Sequence, residues 1–97
     1  MTAHARAETM TAIEISEPGG PLVLKPQTRP RPQPGPGEIL IRVRAAGVNR
    51  PDVLQRQGAY PPPPGASDLP GLEAAGEVAE PGPDVKRWRV GDAVTAL

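Results

Sequence analysis

Proline supplies 15 of the 97 residues and glycine 11. More than a quarter of the chain therefore either lacks a backbone donor or has no side chain to bury. Such a fraction borders on the composition of disordered chains, so placement decides. The prolines fall between apolar runs, at Glu17-Pro18-Gly19-Gly20-Pro21, Arg29 to Gly37, Pro61 to Gly65 and Pro81-Gly82-Pro83-Asp84. Used as punctuation in this way they predict an ordered, mainly β chain. Phenylalanine is absent, with one Trp and one Tyr, so Val, Leu, Ile and Ala must build the core. The length bounds the chain to one domain with a small core.

Eleven basic residues balance eleven acidic ones, without the basic footprint of a nucleic-acid or anionic-membrane binder. Cysteine is absent, which removes disulfides, thiolate metal ligands and a thiol nucleophile. No run approaches the length of a membrane span. These features predict a soluble, cytoplasmic protein with neither nucleic-acid nor membrane partners.

Residues 1–9 are polar and alanine-rich, without the apolar core of a secretory signal, and are expected to be a disordered leader. The lone histidine, His4, lies there. From Met10 the pattern alternates to Ile15, turns at residues 17–21, and resumes at Leu22-Val23-Leu24, which predicts two strands. Residues 29–37 are expected to be an extended connector, or alternatively a proline-rich ligand. Residues 38–46 give the clearest strand. Ile39, Ile41, Val43 and Ala45 share one face, and Arg42 and Arg44 lie with Leu40 on the other, expected to be a solvated sheet face.

Asn49 is a good N-cap, Pro51 and Asp52 suit a first turn, and Gly58 is placed to stop about two turns of helix. Tyr60 follows, braced by Pro61 to Pro64. Ala74 to Glu80 reads as a small-residue strand that lets another backbone approach closely, with Glu73 and Glu77 on one face in surface or capping roles. Residues 90–94 read as a turn into a last strand.

Gly35-Pro36-Gly37 opens like a dinucleotide fingerprint, but its sixth position is Leu40 and it precedes a strand. Neither a phosphate loop nor a nucleophile elbow occurs. One histidine supplies neither a catalytic triad nor a zinc site. From the residues alone, the stretch with chemical promise runs from Asn49 to Arg56 and on to Tyr60.

Asn49-Arg50-Pro51-Asp52-Val53-Leu54-Gln55-Arg56-Gln57-Gly58-Ala59-Tyr60-Pro61-Pro62-Pro63, Gly71-Leu72-Glu73-Ala74-Ala75-Gly76-Glu77-Val78 and Val90-Gly91-Asp92-Ala93-Val94 resemble the medium-chain dehydrogenase/reductase superfamily. Within it, the chain is similar to the zinc-independent NADPH:quinone oxidoreductases related to zeta-crystallin, over residues 10–97. The resemblance implies an incomplete GroES-like domain, a partly open β-barrel with short helices, truncated before the Rossmann domain. It implies hydride transfer from NADPH to a quinone or enone, with Asn49, Arg50, Asp52 and Leu54 bordering the nicotinamide and Tyr60 facing cofactor and substrate as the catalytic residue. Many relatives carry a tyrosine where this chain has Leu54. In the zinc-dependent branch a histidine stands at the position of Leu72 and a cysteine upstream, so the resemblance implies no metal. It implies homodimers only in full-length enzymes. The rival reading is a stand-alone GroES-like interaction module without catalytic activity.

Overall fold

Seven residues from Leu24 to Pro30 form a strand although two of them are prolines. In the computed structural model, which describes residues 9–97, this strand (β2) pairs antiparallel with β1, Thr9–Ile15. Ser16 N–H donates to the Val23 carbonyl at 2.9 Å, which sets the parity of the ladder. Counting from there, Pro26 opposite Ile13 and Pro30 opposite Thr9 occupy non-hydrogen-bonded positions, where an N–H would point away from β1. The missing donors therefore cost the ladder nothing.

Three expectations change here. Leu22-Val23-Leu24 was expected to form the second strand, but Pro21–Val23 is a 3-10 turn with proline in its first turn, and Leu22 is 87% exposed. Proline's fixed φ favours that turn, so the strand starts at Leu24. The connector expected from Arg29 begins later, because Arg29 and Pro30 still pair with β1. Thr9, assigned to the leader, opens β1. The rest of the leader, His4 included, lies outside the described residues.

The chain divides into two units, one of residues up to Arg31 with Val53–Pro70, the other of Pro32–Asp52 with Gly71–Leu97. The first holds the β1–β2 hairpin and most of the helix α1, Arg50–Arg56. Its helix stop is a Schellman motif around Gly58 at φ 84°. Gly58 N–H bonds the Gln55 carbonyl at 3.0 Å and Ala59 N–H the Leu54 carbonyl at 2.8 Å, as the sequence leads one to expect. Arg56 returns to the turn after β1, with Nε on the Gly19 carbonyl at 3.0 Å and its own carbonyl accepting from Gly19 N–H at 2.9 Å.

The second unit is a three-stranded antiparallel sheet in the order β3 (Ile39–Ala46), β4 (Ala74–Pro81), β5 (Ala93–Ala96). Gly35 to Glu38 is the turn that leads into it. Glu38 N–H bonds the Gly35 carbonyl at 3.0 Å, with Pro36 second and Gly37 third at φ 75°, the arrangement of a type II turn. That is why the Gly-Pro-Gly here introduces a strand. β4 lies centrally, and its Val78 is 1% exposed. A Cβ on Gly76 would overlap the Arg42 carbonyl of β3, so the small-residue strand does admit a close backbone. The alternation read in β3 is broken by register shifts at Leu40/Ile41 and Val43/Ala45, and Val43 is 55% exposed. Mainly β, with two antiparallel sheets and few helices, the architecture is that of a GroES-like domain.

Charged pairs fasten both units. On the sheet, Arg44 Nη2 lies 2.6 Å from Glu77 Oε1, with Arg42 Nε at 3.9 Å. In the first unit, Arg29 donates to Asp68 through both terminal nitrogens at 2.8 Å each and through Nε to Glu14 at 2.7 Å. Hydrogen bonds from Arg29 hold the Asp68 carboxyl below its ordinary range, and Arg44 does the same for Glu77. A carboxyl depressed by folding contributes stability above its unfolded pKa and loses it as pH falls through the folded value. Both links should thus hold at neutrality and release only below about pH 4. Carbon-detected NMR titration of the two carboxyls checks this, with midpoints expected below that of a free side chain.

Candidate functional site

Three of the residues singled out by sequence, Asn49, Arg50 and Asp52, lie in the second unit where β3 hands over to the helix. Leu54 and Tyr60 belong to the first unit. Each group has its own local geometry.

The β3–α1 turn is organised by Asp52. Its Oδ2 accepts from the Asn49 N–H at 3.0 Å and its Oδ1 from the Gly71 N–H at 3.0 Å. One carboxylate thus caps the helix start and ties the turn to the segment entering β4. Its negative charge at the third helical residue also suits the positive end of the helix. Asn49 was expected to cap through its side chain. Instead Asp52 reaches back to it, as the third residue does in a capping box. The Asn49 side chain is thereby released to donate from Nδ2 to Glu73 Oε1 at 2.8 Å.

Glu73 sits one residue before β4 and serves the turn, whereas Glu77 pairs across the sheet with Arg44. The two carboxylates do not form a catalytic pair. Gly47, too, is shaped by this cluster, because a Cβ there would fall on the Glu73 carboxylate. Beside it, Ala45, Ala46, Ala74, Ala75 and Thr95 line an open hollow of about 520 Å³. Arg50 is exposed, and among the described residues its guanidinium makes no ion pair or hydrogen bond.

In the first unit, Leu54 is half-buried and its carbonyl closes the helix stop. Tyr60 follows two residues after Gly58. Its side chain is exposed, at 46%, and its hydroxyl makes no hydrogen bond among the described residues. Arg56, at the end of the stretch singled out by sequence, donates its Nε to the Gly19 carbonyl. What sequence reasoning missed is the Arg29–Asp68 fork, whose partners stand 39 positions apart. No local pattern announces such a pair. Among the described residues no group of three or more His, Cys, Asp or Glu side chains is placed to hold a metal ion. No helix among them is long and apolar enough to cross a membrane.

The role of Asp52 has a measurable consequence. Asp52→Ala strands two backbone donors and should destabilise the chain by about 1–2 kcal/mol. Asp52→Asn keeps one acceptor oxygen and should cost about half as much. Urea unfolding of the two variants beside the parent measures both; equal stability for all three would contradict the capping role.

A family model described as the alcohol dehydrogenase GroES-like domain matches residues 35–97. The chain is 42% identical to a quinone oxidoreductase of Lama guanicoe over 86 residues, which are 88% of this chain and 26% of that one. A mycobacterial protein solved in complex with NADPH superposes at a TM-score of 0.74 with 44% identity, over 89% of this chain and 27% of that one. A thermostable alcohol dehydrogenase from Pyrobaculum aerophilum, solved with cobalt and zinc bound, superposes at 0.78 with 44% identity, over 90% and 26%. The chain thus spans about a quarter of the length of these relatives. With the family model covering most of the chain, the chain belongs to the alcohol dehydrogenase GroES-like domain family.

Proposed function

We propose that this chain forms the front of the catalytic domain of an NADPH-dependent oxidoreductase that reduces a quinone or a related enone. The observation that carries the reading is Tyr60. Its exposed hydroxyl, without a partner among the described residues, stands between a fixed helix stop at Gly58 and a run of four prolines. The names of the quinone oxidoreductase and the NADPH complex above support the choice of reaction and cofactor.

The residues present fit that cofactor in part. Asn49 keeps its Oδ1 outside the hydrogen bonds among the described residues, and Arg50 keeps its whole guanidinium. An acceptor for an amide and a cation for a phosphate-bearing molecule are thus both on hand. Asp52 has an N–H on each carboxylate oxygen, so we assign it to holding the turn. NADPH, when bound, supplies the hydride. Tyr60 donates its hydroxyl proton in a hydrogen bond to the substrate carbonyl as negative charge gathers there. The mechanism needs no metal from this chain, which has no cysteine and a single histidine.

In the enzyme carrying this chain, Tyr60→Phe keeps the ring and removes the donor. Turnover with a quinone should fall roughly tenfold, about 1.4 kcal/mol, with NADPH affinity little changed. A Phe variant equal to the parent would remove Tyr60 from the reaction. Separately, exhaustive chelation should leave turnover and melting temperature unaltered. Loss on chelation with recovery on adding zinc would show the metal-free reading to be wrong.

A further inference from the structure

Every residue from Pro61 to Asp68 is exposed, so apolar packing cannot be what orders the loop that follows Tyr60. Four consecutive prolines deny it backbone donors as well. Within the loop itself, Ala66 N–H bonds the Pro63 carbonyl at 3.1 Å and Leu69 N–H bonds Ser67 Oγ at 3.1 Å. Its attachment to the rest of the first unit comes at the two ends. The front end is the helix stop at Gly58 and Ala59. The rear end is Asp68, whose carboxylate takes the Arg29 fork at 2.8 Å on each oxygen and whose carbonyl accepts from Gln55 Nε2 at 3.0 Å.

Arg29 is itself oriented, because its Nε donates to Glu14 of β1 at 2.7 Å. Its side chain is only 27% exposed. Isolated surface ion pairs contribute little, but a two-pronged arginine–carboxylate contact fixes direction as well as distance. The proline run between the anchors is stiff. Between the run and Asp68, the Ala66–Pro63 hydrogen bond closes a turn through Gly65, so a displacement at Asp68 bears on the run and, through it, on Tyr60.

We propose that Arg29 and Asp68 are positioning residues that, through the proline run, hold the Tyr60 hydroxyl where it serves the substrate carbonyl; this rests on the role given to Tyr60 above. The pair lies on the β2 end and the far end of the loop, and neither residue takes part in the reaction itself.

The first arm of the test is independent of catalysis. The chain has one tyrosine, so 3-fluorotyrosine incorporation places a single fluorine probe at Tyr60. The parent should show a resonance displaced from that of the urea-denatured chain. Asp68→Asn, and Arg29→Lys, which keeps the charge but loses the fork, should both move it toward the denatured position. Amide protection at Ala12 in the β1–β2 ladder and at Val78 must stay unchanged, which guards against unfolding of either unit. A fluorine resonance unmoved in both variants overturns the clamp.

The second arm uses the enzyme carrying this chain. Asp68→Asn should lower quinone turnover about fivefold with KM for NADPH unchanged, and should cost nothing further in a Tyr60→Phe background. Equal losses in both backgrounds would make Asp68 a merely structural residue and overturn the proposal. Impairment by Tyr60→Phe with a fully active Asp68→Asn would also overturn it, while leaving the function of Tyr60 standing. A Tyr60→Phe enzyme equal to the parent overturns both, and the fluorine arm still reports whether the tether exists.

Discussion

Fifteen residues without an amide hydrogen force every ladder in this chain to be routed around them. The solutions are local and specific. Pro26 and Pro30 sit where β2 needs no donor toward β1. Pro21 opens a 3-10 turn, and Pro36 occupies the second position of the turn before β3. Pro51 falls in the first turn of α1, where the amide would have no helical partner. Among the others, the run from Pro61 to Pro64 lies outside the regular elements and depends on its ends for order.

Because apolar bulk is scarce, polar groups take over much of the fastening. Val78 is the buried hydrophobic residue of the described chain, and large apolar side chains such as Val48 and Val90 are 83% and 69% exposed. Carboxylates hold the joints instead. Asp52 gathers two backbone donors, Glu73 takes the Asn49 amide, Glu77 spans the sheet to Arg44, and Asp68 ties down the loop. Carboxylate acceptors form stronger hydrogen bonds than neutral ones.

The same economy shapes the candidate site. Residues that look chemically equivalent in the sequence separate by what they already bond. Asp52 spends both carboxylate oxygens on backbone donors, whereas among the described residues the exposed Arg50 guanidinium and the Tyr60 hydroxyl make no hydrogen bond. A polar side chain with its capacity spent locally positions its neighbours; one with capacity left over can meet a ligand.

Sequence by itself determined the mainly β class, the strands over β1, β3, β4 and β5, the stop at Gly58 and the close approach to β4. Each depends on neighbours a few residues apart, through alternation, turn chemistry or the lack of a Cβ. The family was legible too, because its residues recur in order along the chain. Tertiary structure alone decided the bulges of β3, the tie from Asp52 to Gly71 and the Arg29–Asp68 fork. Strand parity, cross-strand register and pairs 39 residues apart are set by which segments meet in space, and a local pattern carries no record of that meeting.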